Sequence, residues 1–355
     1  MKSEAKGSGK KVLKVFLAII AVSLIIGISG YFYVAYHPQI VVGIIQKALY
    51  PEGKEINPVE PQNVPDRKVR ENGILYVNDI KYGNTYPNSY LDISYPTEDT
   101  SVDRPTIVYF HGGGYFGGDK VLGDPLAVND DSTYLFDRLV LEGYNLVNIN
   151  YVLVPDYHFP DPVIQMNEAI NYLIDNQAEL GLDMGKVIIF GQSAGAIMTA
   201  QYGAIVSNSD YRQLFPLTEE PKLELADIVA LVIDDAPLDI ANFDNLQIKL
   251  LIANYLEDSI YFGNKEMAGM YNAISYVNGL FPRSFLTAGT DDGFPEDMQE
   301  LSDRLTESGV ENIYFYTPEE KYGLTMHGYL SNLKYDTSGA AKDCFDAIIE
   351  FIKEE

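Results

Sequence analysis

The stretch from Val187 to Ala196 constrains this chain more than any other. An apolar run, Val187-Ile188-Ile189-Phe190, passes without a spacer into Gly191-Gln192-Ser193-Ala194-Gly195 and then into small residues suited to a helix start. Strand, sharp turn and helix in that order lift a serine hydroxyl clear of the backbone at the end of a sheet. Ser193 is therefore a candidate nucleophile, and its surroundings point to an α/β architecture.

A second glycine-rich turn lies upstream, where Thr106-Ile107-Val108-Tyr109-Phe110 ends in His111-Gly112-Gly113-Gly114. Attack of a serine oxygen on a carbonyl puts negative charge on the carbonyl oxygen, and one fixed backbone donor aimed there contributes about 2.7–4 kcal/mol. Glycines let the backbone come that close. The expected donors are the N–H groups of Gly113, Gly114 and Ala194, the last being the residue after the nucleophile.

A serine hydroxyl is a weak nucleophile until a base takes its proton, so a histidine is required. Of the four histidines, His37 abuts a long apolar segment, His111 belongs to the glycine loop and His158 precedes Phe159-Pro160. His327, in Met326-His327-Gly328-Tyr329, follows the last expected strand and precedes the last expected helix, which fits the chain order serine, acid, histidine. The acid is expected after the strand Arg283–Thr287, where Gly289-Thr290-Asp291-Asp292-Gly293 offers two adjacent carboxylates. Only one can orient the imidazole; the other would be a solvated turn residue.

Strands are expected over Ile74–Tyr82, Tyr90–Tyr95, Thr106–Phe110, Tyr144–Val152, Lys186–Phe190, Ile228–Asp234, Arg283–Thr287 and Asn312–Tyr316, with helices over Pro162–Leu180 and Ala340–Ile352. The pattern argues for a mainly parallel sheet with helices on both faces, binding ligands beyond the carboxyl ends of its strands. Residues 73–355 are the expected catalytic domain. Within it, about 237–282 reads as a helical lid insertion, where Tyr255, Tyr261, Met267 and Met270 fit either a pocket lining or core packing.

Charge divides the rest. The chain carries a formal −26 over 355 residues, which excludes nucleic acid as a partner. Yet Lys2, Lys6, Lys10, Lys11 and Lys14 crowd the first fourteen positions. Behind this basic leader, Val15 to Tyr36 holds no charge and is long enough to cross a bilayer as a helix. The expectation is a single-pass anchor over 15–36 with a cytoplasmic N-terminus and an extracellular body. A cleaved secretory signal is the alternative. Residues 37–72, rich in proline, read as a stalk or an arm lying on the domain. Cys344 is the only cysteine, so no disulfide staples the chain. No metal cluster, phosphate loop or nucleotide fingerprint suggests a cofactor.

Taken together, His111-Gly112-Gly113-Gly114, Gly191-Gln192-Ser193-Ala194-Gly195, Asn150-Tyr151-Val152-Leu153-Val154-Pro155 continuing to Phe159-Pro160, the strand Phe285-Leu286-Thr287-Ala288-Gly289 and the terminal His327-Gly328 resemble the α/β-hydrolase superfamily. Within it they resemble the esterases and lipases related to hormone-sensitive lipase, over about residues 73 to 353. That resemblance implies a serine hydrolase of small carboxylic esters and places the family acid on Asp292, with Asp291 second. Three positions depart from the pattern: Val152 stands where arginine is usual, Gln192 replaces an acidic residue, and Gly293-Phe294 replaces Pro-Leu. An amidase or peptidase would use the same triad, and a binding protein without catalysis would keep the same fold.

Overall fold

The computed structural model describes residues 23–49, 57, 58, 61, 64–121 and 132–353. Among them, nine strands form one sheet: β1 (Arg67–Val69), β2 (Leu75–Lys81), β3 (Tyr90–Tyr95), β4 (Pro105–Phe110), β5 (Asn145–Ile149), β6 (Asp183–Gln192), β7 (Ile228–Asp234), β8 (Ser284–Thr287) and β9 (Asn312–Phe315). Their spatial order is β1-β2-β3-β5-β4-β6-β7-β8-β9. The first four in that order pair antiparallel, and from β5 to β9 every pairing is parallel. This is the α/β-hydrolase fold.

The helices are α1 (23–36), α2 (Gln39–Leu49), α3 (Ser132–Leu141), α4 (Asp161–Leu180), α5 (Ala194–Ser207), α6 (Ser209–Arg212), α7 (Leu246–Tyr255), α8 (Lys265–Tyr271), α9 (Pro295–Glu307), α10 (Glu319–Tyr322) and α11 (Ala340–Lys353). They cover both faces of the sheet, which is why the central strands read as unbroken Val, Ile, Leu and Phe rather than alternating with polar residues. Val108, Ile189 and Leu231 face the layer containing α4 and α5. Ile107, Ile188 and Val232 face the layer of α3 and α11. Each such side chain, fully buried, contributes about 1.5–3 kcal/mol against the entropy of ordering it.

Helix chemistry follows position. α5 lies behind Ser193 with nearly every residue buried, so its sequence is small and apolar all round. α11 buries Ala341, Cys344, Phe345, Ile348 and Ile352, a spacing of three and four that makes one apolar stripe. α4 starts with Pro162 in its first turn and stops at Gly181, which takes the left-handed conformation at φ 66°.

The segment preceding the sheet lies against the domain where it is described. Val42 of α2 is buried, and the Gln46 amide donates to the carbonyls of Phe116 (3.1 Å) and Val154 (2.5 Å). α1 is helical with Leu24, Ile25, Ile26, Ile28 and Tyr33 exposed. Its end is clipped to the domain: the Ile260 N–H donates to the Ala35 carbonyl at 3.0 Å, and the Tyr36 and Tyr261 rings lie 5.6 Å apart. The leader at 1–14 and positions 15–22 of the expected span lie outside the described residues. Among the described residues no helix is long and apolar enough to cross a membrane.

Candidate active site

Ser193 sits at the corner between β6 and α5 with φ 52° and ψ −114°. Strand and helix close tightly at this corner, since a Cβ on Gly191 would lie 2.1 Å from the Gly195 carbonyl oxygen, and a Cβ on Gly195 would lie 2.0 Å from the Phe110 carbonyl oxygen at the end of β4. The Ser193 N–H donates to the Asp234 carbonyl at 2.8 Å, tying the corner to the neighbouring strand β7. Its Oγ lies 2.9 Å from Nε2 of His327. The two residues are 134 positions apart in sequence, and the fold brings them into hydrogen-bond reach.

The carboxylate beside that histidine is a third residue, Asp235. Its Oδ2 lies 2.9 Å from His327 Nδ1, and this corrects the sequence expectation of Asp292, with Asp291 second. Asp235 directly follows β7 rather than β8, and its own N–H donates to the Thr287 carbonyl, 2.8 Å away. At φ 64° its backbone turns sharply. The carboxylate is fully buried and accepts backbone N–H bonds from Gly289 (3.0 Å), Phe294 (2.8 Å) and Gly328 (3.1 Å). Burying a charge is tolerated when hydrogen bonds replace its water, and these three do so.

Asp291 and Asp292 have other places. Asp291 joins the histidine loop through its main chain, donating to the Thr325 carbonyl at 2.8 Å and accepting from the His327 N–H at 3.1 Å. Asp292 is exposed, at φ 55°, on the wall of the catalytic cavity. The loop expected to supply the acid instead supplies N–H donors to it. A signal for Asp235 was present: the run Ile228-Val229-Ala230-Leu231-Val232-Ile233 also ends in two carboxylates, Asp234 and Asp235. Chain order alone accepts either strand.

Two of the three expected oxyanion residues lie beside Ser193. Gly114 and Ala194 line the cavity with it. Gly113, one residue back, shapes the turn: at φ 108° its carbonyl accepts from the Phe116 and Gly117 N–H groups, both at 3.1 Å. A Cβ there would fall 2.2 Å from the Gly117 oxygen. Next to them the Tyr115 ring stacks on Tyr255 with centroids 3.5 Å apart, and its hydroxyl donates to the Ala194 carbonyl at 3.0 Å.

The remaining histidines are placed elsewhere. His111 is buried and stacked on Tyr151, and burial pushes its pKa down to about 4, so it stays neutral. His158 rests between the carbonyls of Asn254 and Pro155. Gln192 explains its departure from an acidic residue: its Oε1 accepts from the Tyr109 hydroxyl at 3.0 Å while its Nε2 donates to Ser331 Oγ at 2.6 Å. The position is fully buried, so an ionised carboxylate would carry a desolvation cost that the neutral amide avoids. Val152 packs with Tyr86 and Ile164, where an arginine would bury an unneeded charge.

The catalytic cavity measures about 210 Å³, with Ile197, Pro237, Leu251 and Ile252 as apolar walls and Asn245 and Asp292 as polar ones. A polar hollow of about 310 Å³ adjoins it and shares Asn245, Ile248, Asp292 and Phe294. The insertion at 237–282 thus reaches the site through Pro237, Asn245 and α7 as far as Ile252. Tyr255, Tyr261, Met267 and Met270 do not line this cavity: Tyr255 is buried against Tyr115, the two methionines pack on the core, and Tyr261 is exposed beside Tyr36. Among the described residues no group of three or more His, Cys, Asp or Glu is placed to hold a metal ion.

One buried acid beside this loop carries a pH prediction. Asp297, at the start of α9, accepts from the Leu238 (3.0 Å) and Asp239 (2.6 Å) N–H groups, and desolvation by burial pushes its pKa up to about 7. The folded state therefore holds this proton where the unfolded chain, near 3.9, has released it. Its contribution to stability is full below about pH 4 and is lost as pH rises through about 7. The unfolding free energy of the wild type from urea titrations should fall over that window by an amount on the order of a few kcal/mol, and Asp297→Asn should flatten the slope.

A family model described as BD-FAE matches residues 91–305, more than half of the chain. Esterase LipI of Mycobacterium tuberculosis is 27% identical over 109 residues, 30% of this chain and 30% of that protein. Esterase LipQ of the same organism is 26% identical over 249 residues, 67% of this chain and 54% of that protein. The match thus spans less than two thirds of the length of either relative. The crystal structure of esterase B from Lactobacillus rhamnosus superposes with a TM-score of 0.64 at 20% identity, over 80% of this chain and 89% of that one, which shows the shared fold. The chain belongs to the BD-FAE family, among the α/β-hydrolase esterases and lipases related to hormone-sensitive lipase.

Proposed function

We propose that this protein is a membrane-anchored serine hydrolase that cleaves short-chain or acetyl carboxylic esters through an acyl-enzyme. The observation that carries the reading is the unbroken contact from Ser193 Oγ through the His327 ring to the buried Asp235 carboxylate. In the first step the Ser193 oxygen bonds to the ester carbonyl carbon while its proton passes to His327 Nε2. The carbonyl oxygen becomes an oxyanion, received by the N–H groups of Gly114 and Ala194, with Gly113 as the third expected donor. Collapse expels the alcohol, which takes the proton from Nε2. Water then attacks the acyl-enzyme by the same route and frees Ser193. Asp235 holds the imidazole in one tautomer and supports the imidazolium as it forms.

Substrate size follows from the cavity, whose apolar walls enclose about 210 Å³ and suit a short acyl group. A series of nitrophenyl esters tests this: kcat/KM should peak at acyl chains of a few carbons and fall steeply with length. A peak at long chains would refute the short-chain assignment, and absence of turnover on every ester would refute the reading as a whole.

Anchoring is supported by the uncharged segment starting at Val15 behind the lysine-rich leader, and by the outward-facing apolar side chains of α1. Removing residues 1–30 spares Ala35 and α2, so it should move the protein from the membrane to the soluble fraction with kcat within about twofold of wild type. Protease added to intact cells should digest the full-length protein if its body lies outside.

A further inference from the structure

Six residues after Gly114, the loop that carries Gly113 and Gly114 holds a buried charge. Lys120 is 1% exposed, and its ammonium lies 2.9 Å from Asp79 Oδ1 and 2.8 Å from Asp92 Oδ1, both also buried. Asp79 stands where the pairing of β2 with β3 slips between Val77 and Ile80, and its φ is 55°. Its N–H donates to Asp92 Oδ1 at 2.8 Å, and the Asn78 amide donates to its Oδ2 at 2.9 Å. The Tyr76 hydroxyl donates to Asp92 Oδ2. The Lys120 backbone N–H is held as well, by Asn150 Oδ1 at 2.7 Å. Through main chain and side chain, one residue fastens the loop to β2, β3 and the exit of β5.

Stability alone is a poor reason for such a cluster. Taking each charge out of water costs several kcal/mol, and replacing a buried ion group with apolar residues of similar volume is often neutral or stabilising. What an ammonium between two carboxylates supplies, and a leucine does not, is direction. Gly112, Gly113, Gly114, Gly117 and Gly118 leave this loop with little intrinsic stiffness. Its N–H groups nevertheless have to meet an oxyanion at fixed distance. We propose that Lys120, with Asp79 and Asp92, is a positioning residue that holds the oxyanion loop in register with Ser193. The proposal rests on the ester-hydrolase reading above. Lys120 acts through the loop and touches no reacting atom.

The test uses the full-length protein and Lys120→Met, with nitrophenyl acetate as substrate and an aryl trifluoromethyl ketone as an inhibitor that forms an oxyanion on the serine. A displaced donor should cost less than a deleted one, for which the loss is about 10²–10³-fold. We expect kcat to fall about 10- to 100-fold with KM within about threefold, and the ketone to bind more weakly by the same factor as kcat/KM. Should Lys120→Met fail to fold, Lys120→Met/Asp79→Asn/Asp92→Asn removes the unpaired charges and is read by the same two measurements. A folded variant with wild-type kcat, or one whose kcat falls while ketone affinity is unchanged, overturns the proposal. Inactivity of the wild type on every ester would instead sink the underlying reading.

Discussion

Asp235→Asn should lower kcat by about 10⁴-fold while leaving the protein folded, because an amide at this position favours the wrong imidazole tautomer and leaves the imidazolium without a counter-charge. Asp292→Asn and Asp291→Asn should each stay within about threefold of wild type, since the first faces solvent at the cavity wall and the second serves through its main chain. Purified variants compared on one nitrophenyl ester, with circular dichroism as the check on folding, decide the matter. A large loss at Asp292 or Asp291 with a near-normal rate at Asp235 would return the acid to the end of β8. A Gly289, Phe294 or Gly328 N–H left without its acceptor would also cost stability. The asparagine Oδ1 can satisfy only part of that set, so a lowered urea midpoint should accompany the lost activity.

Ser193→Ala should reduce kcat by about 10⁶-fold and abolish labelling by a fluorophosphonate. His327→Ala should fall to a similar level, and the double variant should be no worse than either, because residues that act as one unit lose their effect together. Residual turnover should remain above the uncatalysed rate, since the backbone donors of Gly114 and Ala194 survive both changes. Additive losses in the double variant would mean that Ser193 and His327 work independently, which the 2.9 Å contact between them argues against.

Much of this architecture was readable from residue order. The run Val187–Phe190 before Gly191 places the corner, the continuous apolar strands announce a sheet covered on both faces, and the position of His327 between the last strand and the last helix singles it out from the other histidines. The acid was not readable in the same way. β7 and β8 are parallel neighbours, both are followed by paired aspartates, and both lie between Ser193 and His327 in sequence. What separates them is the set of N–H groups that gather around one carboxylate, and this exists only once three loops are folded together. In the insertion, composition fits both a pocket and a core, and packing decides: Tyr255, Met267 and Met270 lie with the core, as core packing predicts, while Ile248, Leu251 and Ile252 of the same stretch line the cavity. Lys120 gives almost no sign in sequence, because its two partners lie on strands some thirty and forty positions earlier.

The clip between Ala35 and Ile260 sets a working radius. A catalytic domain on a flexible tether of ~15 residues would wander about 20 Å from its attachment point and sample a hemisphere of solution. Here α1 leads into α2 with only His37 and Pro38 between them, and the Ala35 carbonyl and the Tyr36 ring are held by the turn that follows α7. A body attached in this way has almost no slack. With α1 in a bilayer it would patrol a thin shell along the surface, so encounters with substrate become a two-dimensional search that depends on how densely esters are laid down beside the anchor rather than on their concentration in bulk.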